Sequence, residues 1–170
     1  MALPRTAGPV GDLGLLIARI ALGVIFFAHG YQKVVQFGMA GVTESFRGMG
    51  VPVAEIAGPV VAYVELIGGA LLILGAFTSI VSLILAVDML VAALLVHLPM
   101  GVFIDNGGWE LVGSLGAGAL LLAAVGAGRY SVDRVLPGGK KPRSRGRSAS
   151  TSAAASTSAA AEKSTGGATS

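Results

Sequence analysis

The stretch LGLLIARIALGVIFFA, residues 13–28, decides the fold of this chain. All of its residues are apolar or small except Arg19, the one charged residue in it. Together with the residues that follow, the stretch is long enough to cross about 30 Å of hydrocarbon at about 1.5 Å per helical residue. The sequence therefore predicts a first transmembrane helix at residues 13–37.

The composition of the whole chain is also that of a membrane protein. Hydrophobic residues make up 54% of the 170 residues and charged residues only 12%, whereas a soluble domain carries about 25% charged residues. Further apolar runs predict spans at residues 53–77, 80–98 and 109–125. Residues 13–135 are therefore predicted to form an all-α integral membrane four-helix bundle, preceded by a cytoplasmic leader at residues 1–12.

Basic residues are concentrated near the C-terminus. After Arg129 the hydrophobic periodicity is lost, and residues 136–170 are predicted to be a disordered basic tail, because their Ser, Ala and Gly content buries too little apolar surface. From Gly138 onward the net charge is +5, against −2 for the rest of the chain. The positive-inside rule then predicts a multi-pass bacterial plasma-membrane protein with cytoplasmic N- and C-termini. Membrane lipid, rather than nucleic acid, is the expected partner of this charge.

Short or glycine-rich connections join the predicted spans. Residues 38–51 are predicted to form an outer loop with a short interfacial helix, and Thr78 and Ser79 are predicted to turn the chain back between the second and third spans. Small residues in the fourth span favour close helix packing, either inside the bundle or in a homo-oligomer. They are Gly113, Ser114, Ala117 and Gly118.

Three ionisable residues lie deep inside the predicted spans, namely Arg19, Glu65 and Asp88. Each costs about 2.5–3.5 kcal/mol to insert, and such residues mark a functional site by default. Similar depth predicts that Arg19 forms an ion pair with Glu65 or Asp88 across the bundle. Two interpretations stay open at this point: a ligand or proton site, and a static polar contact that holds the helices together.

A second polar group is predicted near the outer end of the bundle. Arg19, His29 and Lys33 share a face of the first span, His97 ends the third span and Glu110 begins the fourth. These side chains are candidates to line a small polar vestibule. The alternative is that Lys33, His97 and Glu110 extend separately to the membrane interface.

Haem ligation by His29 and His97 is a minor alternative for the two histidines. In a regular helix His97 is about half a turn out of phase with Asp88, so it is not required to face the core. No metal-binding spacing is present, and the chain has no cysteine. Disulfides, iron–sulfur clusters and covalent haem attachment are therefore excluded within this chain.

Several polar and glycine motifs are distributed over all four spans. They are Arg19-x-x-x-Gly23-x-x-Phe26-x-x-His29-Gly30-x-x-Lys33, Gly50-Val51-Pro52, Glu65-x-x-Gly68-Gly69, Leu74-Gly75, His97, Gly107-Gly108-x-Glu110 and Gly128-Arg129-Tyr130-Ser131-Val132-Asp133. In combination these motifs are similar to those of the DoxX family of small bacterial membrane proteins. The resemblance covers about residues 13–135.

The resemblance implies a four-helix membrane protein linked to redox metabolism. Relatives include a subunit of a thiosulfate:quinone oxidoreductase and proteins of a membrane complex that couples radical detoxification to thiol handling. Asp88 lies outside the family pattern. The polar positions that match it are Arg19, His29, Lys33, Glu65, His97 and Glu110.

The expected function is an accessory subunit of a membrane redox system, with protein partners and without catalytic activity alone. Its charged core is expected to bind a quinone, with Arg19 or Lys33 donating to a carbonyl oxygen and Glu65 or His29 handling a proton. No covalently bound cofactor is expected. The alternative is a non-catalytic membrane scaffold that recruits soluble redox enzymes through the basic tail.

Overall fold

A computed structural model describes residues 8–135 of the chain, and every regular element within this range is helical. The predicted disordered tail at residues 136–170 and the first seven residues of the predicted leader lie outside the described residues. The first helix begins at Pro9, four residues before the predicted start of the first span. A proline suits this first-turn position, where its missing N–H group has no helical partner.

Five α-helices follow one another along the chain. They are α1 (Pro9–Tyr31), α2 (Gly38–Gly48), α3 (Ala54–Leu74), α4 (Thr78–Ala92) and α5 (Glu110–Val125). Turns of π-helix extend α1 through Gln32–Phe37 and α4 through Ala93–His97, and short 3-10 turns occur at Leu98–Met100, Ile104–Asn106 and Val132–Arg134. The helix α2 occupies the predicted outer loop, and Arg47 ties it to α3 by a 2.6 Å ion pair with Glu55.

Three helical stretches are long and apolar enough to cross a membrane, and α5 is a shorter apolar helix. The three are Pro9–Gly48, Ala54–Leu74 and Thr78–Met100. At 1.5 Å per residue α5 extends over about 24 Å, somewhat less than the hydrocarbon core of about 30 Å. Large apolar side chains such as Ile17, Leu83 and Leu121 are exposed on the outer surface, where lipid would cover them. The predicted all-α membrane four-helix bundle is confirmed.

The helices α1 and α3 pack with their backbones in contact. A Cβ atom at Gly30 would lie 2.2 Å from the backbone nitrogen of Leu66, and one at Gly69 would lie 2.3 Å from that of Phe27. Only glycine permits this approach, and small residues serve the same purpose in other membrane helix pairs. The side chains on these facing surfaces are consequently held close together.

The helices α4 and α5 complete the bundle around a buried apolar core, which includes Phe26, Leu72, Leu85, Met89 and Leu115. The small residues of α5 divide between two surfaces. Gly118 lies against Leu22 of α1, whereas Ser114 and Ala117 are exposed on the outer surface. Part of the small-residue pattern is therefore used for packing inside the bundle.

Residues 126–135 close the end of the bundle at which α1 begins. The carboxylate of Asp133 accepts hydrogen bonds from the backbone N–H groups of Phe77 (2.5 Å) and Thr78 (2.8 Å). These N–H groups at the start of α4 have no partner within the helix. The cap places the start of α4 at Thr78, so the turn after α3 is formed by residues 75–77 and not by the predicted Thr78 and Ser79.

Candidate functional site

A cavity of about 500 Å³ lies between the helices, in the half of the bundle nearest α2. Most of its lining is apolar, and Phe26 of α1 and Met89 of α4 contribute to it. Five of the seven residues singled out from the sequence line this cavity, whereas Arg19 and Glu110 do not. The five are His29, Lys33, Glu65, Asp88 and His97.

Lys33 and Glu65 form an ion pair on the wall of the cavity. The Nζ atom of Lys33 donates to Oε2 of Glu65, and the two side chains are 20% and 6% exposed. The close approach of α1 to α3 at Gly30 and Leu66 brings the two side chains to the same level. Lys33 therefore does not extend away to the interface as an isolated cation, which was one of the two sequence-based interpretations.

Asp88 brings a second carboxyl group to the cavity from α4. Its Oδ2 atom is buried and has no hydrogen-bond partner among residues 8–135. Glu65 and Lys33 line the same cavity. One lysine thus lines the cavity together with two carboxyl groups, and Oδ2 of Asp88 is left without a donor among the described residues.

His97 reaches the cavity from the π-helical turn that ends α4. Its Nδ1 lies 2.6 Å from the carbonyl oxygen of Gly107, and because a carbonyl only accepts, Nδ1 is the donor of this hydrogen bond. The half-turn offset from Asp88 expected for a regular helix does not hold. The i→i+5 bonding of the π turn at Ala93–His97 widens the helix and rotates His97 toward the side that Asp88 occupies.

His29 lies on α1, one turn before Lys33, and also lines a second and smaller recess. This recess has a volume of about 250 Å³ and is bounded by Ala28, His29, Gln32 and Gln36. Ala28 and Gln36 are exposed, so the recess opens at the surface of the bundle. The two glutamines were not recognised as site residues in the sequence, because their spacing on α1 is informative only once His29 is known to face outward.

The predicted ion pair of Arg19 with Glu65 or Asp88 is wrong. The guanidinium of Arg19 donates from Nη1 to the carbonyl oxygen of Ala127 and from Nη2 to that of Tyr130, both at 2.7 Å. The register of the antiparallel pair explains the difference, since Gly30 lies beside Leu66 and Arg19 consequently lies beside Gly75. Arg19 is 2% exposed. Its role is structural, because it binds the C-terminal segment to the bundle.

The segment after Arg129 packs on the bundle although its sequence shows no hydrophobic periodicity. Residues 130–135 lie on the end of the bundle, held by Arg19 through Tyr130 and by the capping carboxylate of Asp133. Aspartate is a preferred helix-capping residue. Its role at position 133 was missed because it caps a helix 55 residues earlier in the chain, which local spacing does not reveal.

Glu110 does not reach the predicted vestibule. Its Oε1 atom accepts a 2.7 Å hydrogen bond from the backbone N–H of Ile104. It therefore holds the loop between α4 and α5 in place at the start of α5. Among residues 8–135 there is no group of three His, Asp or Glu side chains arranged to hold a metal ion.

Comparison with known proteins identifies relatives over most of the chain. The family model of DoxX matches residues 14–98. "Inner membrane protein YqjF" of Escherichia coli (strain K12) is 33% identical over 125 residues, which cover 74% of this chain and 93% of the relative. "Putative oxidoreductase CatD" of Bacillus subtilis (strain 168) is 32% identical over 130 residues, covering 76% and 92%.

A third relative comes from Mycobacterium tuberculosis (strain ATCC 25618 / H37Rv). "Uncharacterized membrane protein Rv3486" is 29% identical over 143 residues, which cover 78% of this chain and 87% of the relative. No solved structure matches the chain significantly. Two of these three relatives are named as membrane proteins, in agreement with the membrane-spanning helices of this chain.

Proposed function

The chain belongs to the DoxX family, and from this premise we propose that it is an accessory subunit of a membrane redox system whose cavity binds a quinone head group. The observation that carries the proposal is the Lys33–Glu65 ion pair on the wall of a mainly apolar cavity. The name of the relative CatD, which includes the word oxidoreductase, gives further support. The chain is in any case a bacterial membrane protein.

The chemistry of the cavity suits a flat, largely apolar ligand with oxygen atoms at its rim. A volume of about 500 Å³ falls in the range of about 300–1,000 Å³ that is typical of small-molecule sites. The ammonium of Lys33 has three donors and gives one to Glu65, so it can also donate to a quinone carbonyl. Glu65 and Asp88 supply carboxyl groups that can exchange protons with such a ligand.

The entrance to the cavity indicates how the ligand arrives. Met49 and Ile104 belong to the lining and are also 42% and 49% exposed, so they stand at its mouth. Neighbouring Phe103 and Val53 are exposed as well. An apolar mouth on a membrane protein favours a ligand that enters from the lipid, as a hydrophobic quinone does.

We assign the supply of electrons to a partner protein. The chain has no cysteine, so iron–sulfur clusters and thiol relays cannot form within it. The minor alternative, haem bound between His29 and His97, has a direct test. An absorbance spectrum of the purified protein is expected to lack a Soret band, and the presence of one would replace the accessory-subunit proposal by a haem protein.

Trp109, the single tryptophan of the chain, provides the test of quinone binding, because it adjoins Gly108 in the cavity lining. A short-chain quinone is titrated into protein embedded in lipid nanodiscs, and quenching of Trp109 fluorescence is recorded. The expected result is saturable quenching that weakens at least tenfold in Lys33→Met. Quenching that is linear with quinone concentration, or equal in both proteins, would contradict the proposal.

A scaffold function predicts different results for a chain without its tail and for the cavity variants. If the chain only recruits soluble enzymes through its basic tail, truncation after Pro137 abolishes its role and the cavity variants have no effect. The cavity-based proposal predicts that the truncated chain binds the quinone as the full chain does. Loss of redox activity in native membranes on truncation, with full activity in Lys33→Met, would establish the scaffold instead.

The positive-inside rule supports an orientation in which the end closed by residues 126–135 is cytoplasmic. Arg129 and Arg134 lie in this segment, Arg5 precedes α1 in the sequence, and the sequence from Gly138 onward has a net charge of +5, whereas the opposite end carries only Lys33 and Arg47 as basic residues. The mouth of the cavity then faces the outer leaflet. A reporter active only in the cytoplasm, fused after Ser170, is expected to be active, and inactivity would reverse the orientation.

A further inference from the structure

His29 faces two separate spaces. It lines the large cavity that contains Lys33 and Glu65, and it also lines the recess on the outside of α1. Among residues 8–135 it is the one residue that the two linings share. His29 is therefore the residue at which the two spaces adjoin.

The outer recess is polar, although the surface of a membrane helix is normally apolar. His29, Gln32 and Gln36 follow one another at intervals of three and four residues, which places them on one face of the helix. The amide side chains donate and accept hydrogen bonds and can hold water. Gln36 lies about 40 Å along the helix from Pro9, so it reaches the interface of a hydrocarbon core of about 30 Å.

The groups inside the cavity require a route for protons. Lys33 is paired with Glu65, Asp88 has an unpartnered oxygen, and His97 is bonded to Gly107. Reduction of a quinone to a quinol consumes two electrons, supplied by the redox partner, and two protons. The rest of the cavity wall is mainly apolar, and an apolar wall does not carry protons.

We infer that His29 is a proton-transfer residue that connects the charged cavity with the outer recess, an inference that rests on the proposed proton-linked ligand of the cavity. One nitrogen of the neutral imidazole accepts a proton from water in the recess while the other releases its proton toward Glu65 or Asp88. No other covalent bond forms or breaks. Transfer in the opposite direction returns the proton to the recess.

The test follows proton exchange in the reconstituted full chain by infrared spectroscopy. The carboxylic C=O band of the cavity is assigned by its loss in Asp88→Asn or Glu65→Gln, and its shift is timed after transfer from H₂O to D₂O at several pH values. His29→Phe is expected to slow the shift at least tenfold. The matched control is Tyr31→Phe, which changes an exposed residue of α1 outside both linings and is expected to exchange at the wild-type rate.

Added imidazole separates a lost relay from a distorted fold. In His29→Ala it is expected to restore the exchange rate, because the free ring can occupy the space that the side chain leaves. Wild-type exchange in His29→Phe, equal slowing in Tyr31→Phe, absence of rescue by imidazole, or a band that never appears would each overturn the inference.

The quinone titration described above distinguishes failure of the proton route from failure of the proposed quinone binding. Saturable binding of quinone together with exchange that does not depend on His29 refutes only the proton route. Exchange that depends on His29 in a chain that binds no quinone supports the route and refutes only the quinone as ligand.

Discussion

Removal of the cation from the Lys33–Glu65 pair should destabilise the protein more than removal of the whole pair. In Lys33→Met the carboxyl group of Glu65 loses its ion-pair partner. This carboxyl group is only 6% exposed, so little water can solvate its charge. Breaking a buried pair in this way costs about 3–5 kcal/mol. Because Lys33 is 20% exposed and some water reaches it, we expect the lower end, about 3 kcal/mol, or roughly a 100-fold change in the unfolding equilibrium.

The double variant Lys33→Met with Glu65→Leu tests whether this cost comes from the unpaired carboxylate. Replacing a buried pair by apolar side chains of similar size is often neutral, so the double variant should lie within about 1 kcal/mol of the wild type. The assay is reversible unfolding in mixed micelles with increasing sodium dodecyl sulfate, followed by circular dichroism. Arg47→Met, which removes exposed ion pairs with Glu44 and Glu55, is the control and should unfold as the wild type does.

The reasoning is refuted if the double variant is at least as unstable as Lys33→Met. That result would mean that Lys33 contributes through packing or through another partner, and not by neutralising Glu65. A wild-type unfolding curve for Lys33→Met would likewise show that water fully solvates Glu65 when its partner is absent.

Three further predictions concern the parts of the bundle that position the site. Arg19→Met leaves two carbonyl groups without their donor and should cost about 3 kcal/mol in the same unfolding assay; a loss below about 1 kcal/mol would show that water replaces the guanidinium. Asp133→Ala removes the cap of α4 and should lower the stability by about 1 kcal/mol. It should also increase proteolytic cleavage of the turn before α4, and unchanged cleavage would contradict the capping role. Gly30→Ala forces a Cβ atom against the backbone of Leu66 and should cost about 1–3 kcal/mol or more, whereas Gly14→Ala, which meets no atom within 4 Å, should leave stability unchanged.

The architecture could be predicted from the sequence because length and hydropathy determine it. Runs of apolar residues long enough to span the hydrocarbon identify the helices, and the even number of spans follows from counting them. The bounds were less accurate where a tertiary contact decides them. The start of α4 lies at Thr78 because Asp133, which is 55 residues later in the sequence, caps the helix there.

The site was predicted in part, and the error has a physical cause. Depth within a span identified Glu65 and Asp88, but it gave Glu65 the wrong partner, because register depends on where two helix backbones can touch. Gly30 and Gly69 fix the register of α1 and α3, and this register places Lys33 beside Glu65. The π-helical turn that orients His97 is also invisible to a periodicity analysis that assumes one constant pitch.

The content of the cavity in protein taken directly from bacterial membranes tests the account most directly. Wild-type chain and the Lys33→Met, Glu65→Leu double variant are purified in native-lipid discs, and bound quinone is extracted and quantified per chain. The account predicts close to one quinone per wild-type chain and at least a tenfold lower content in the double variant. Equal quinone content in the two proteins, no greater than that of the surrounding lipid, would contradict it.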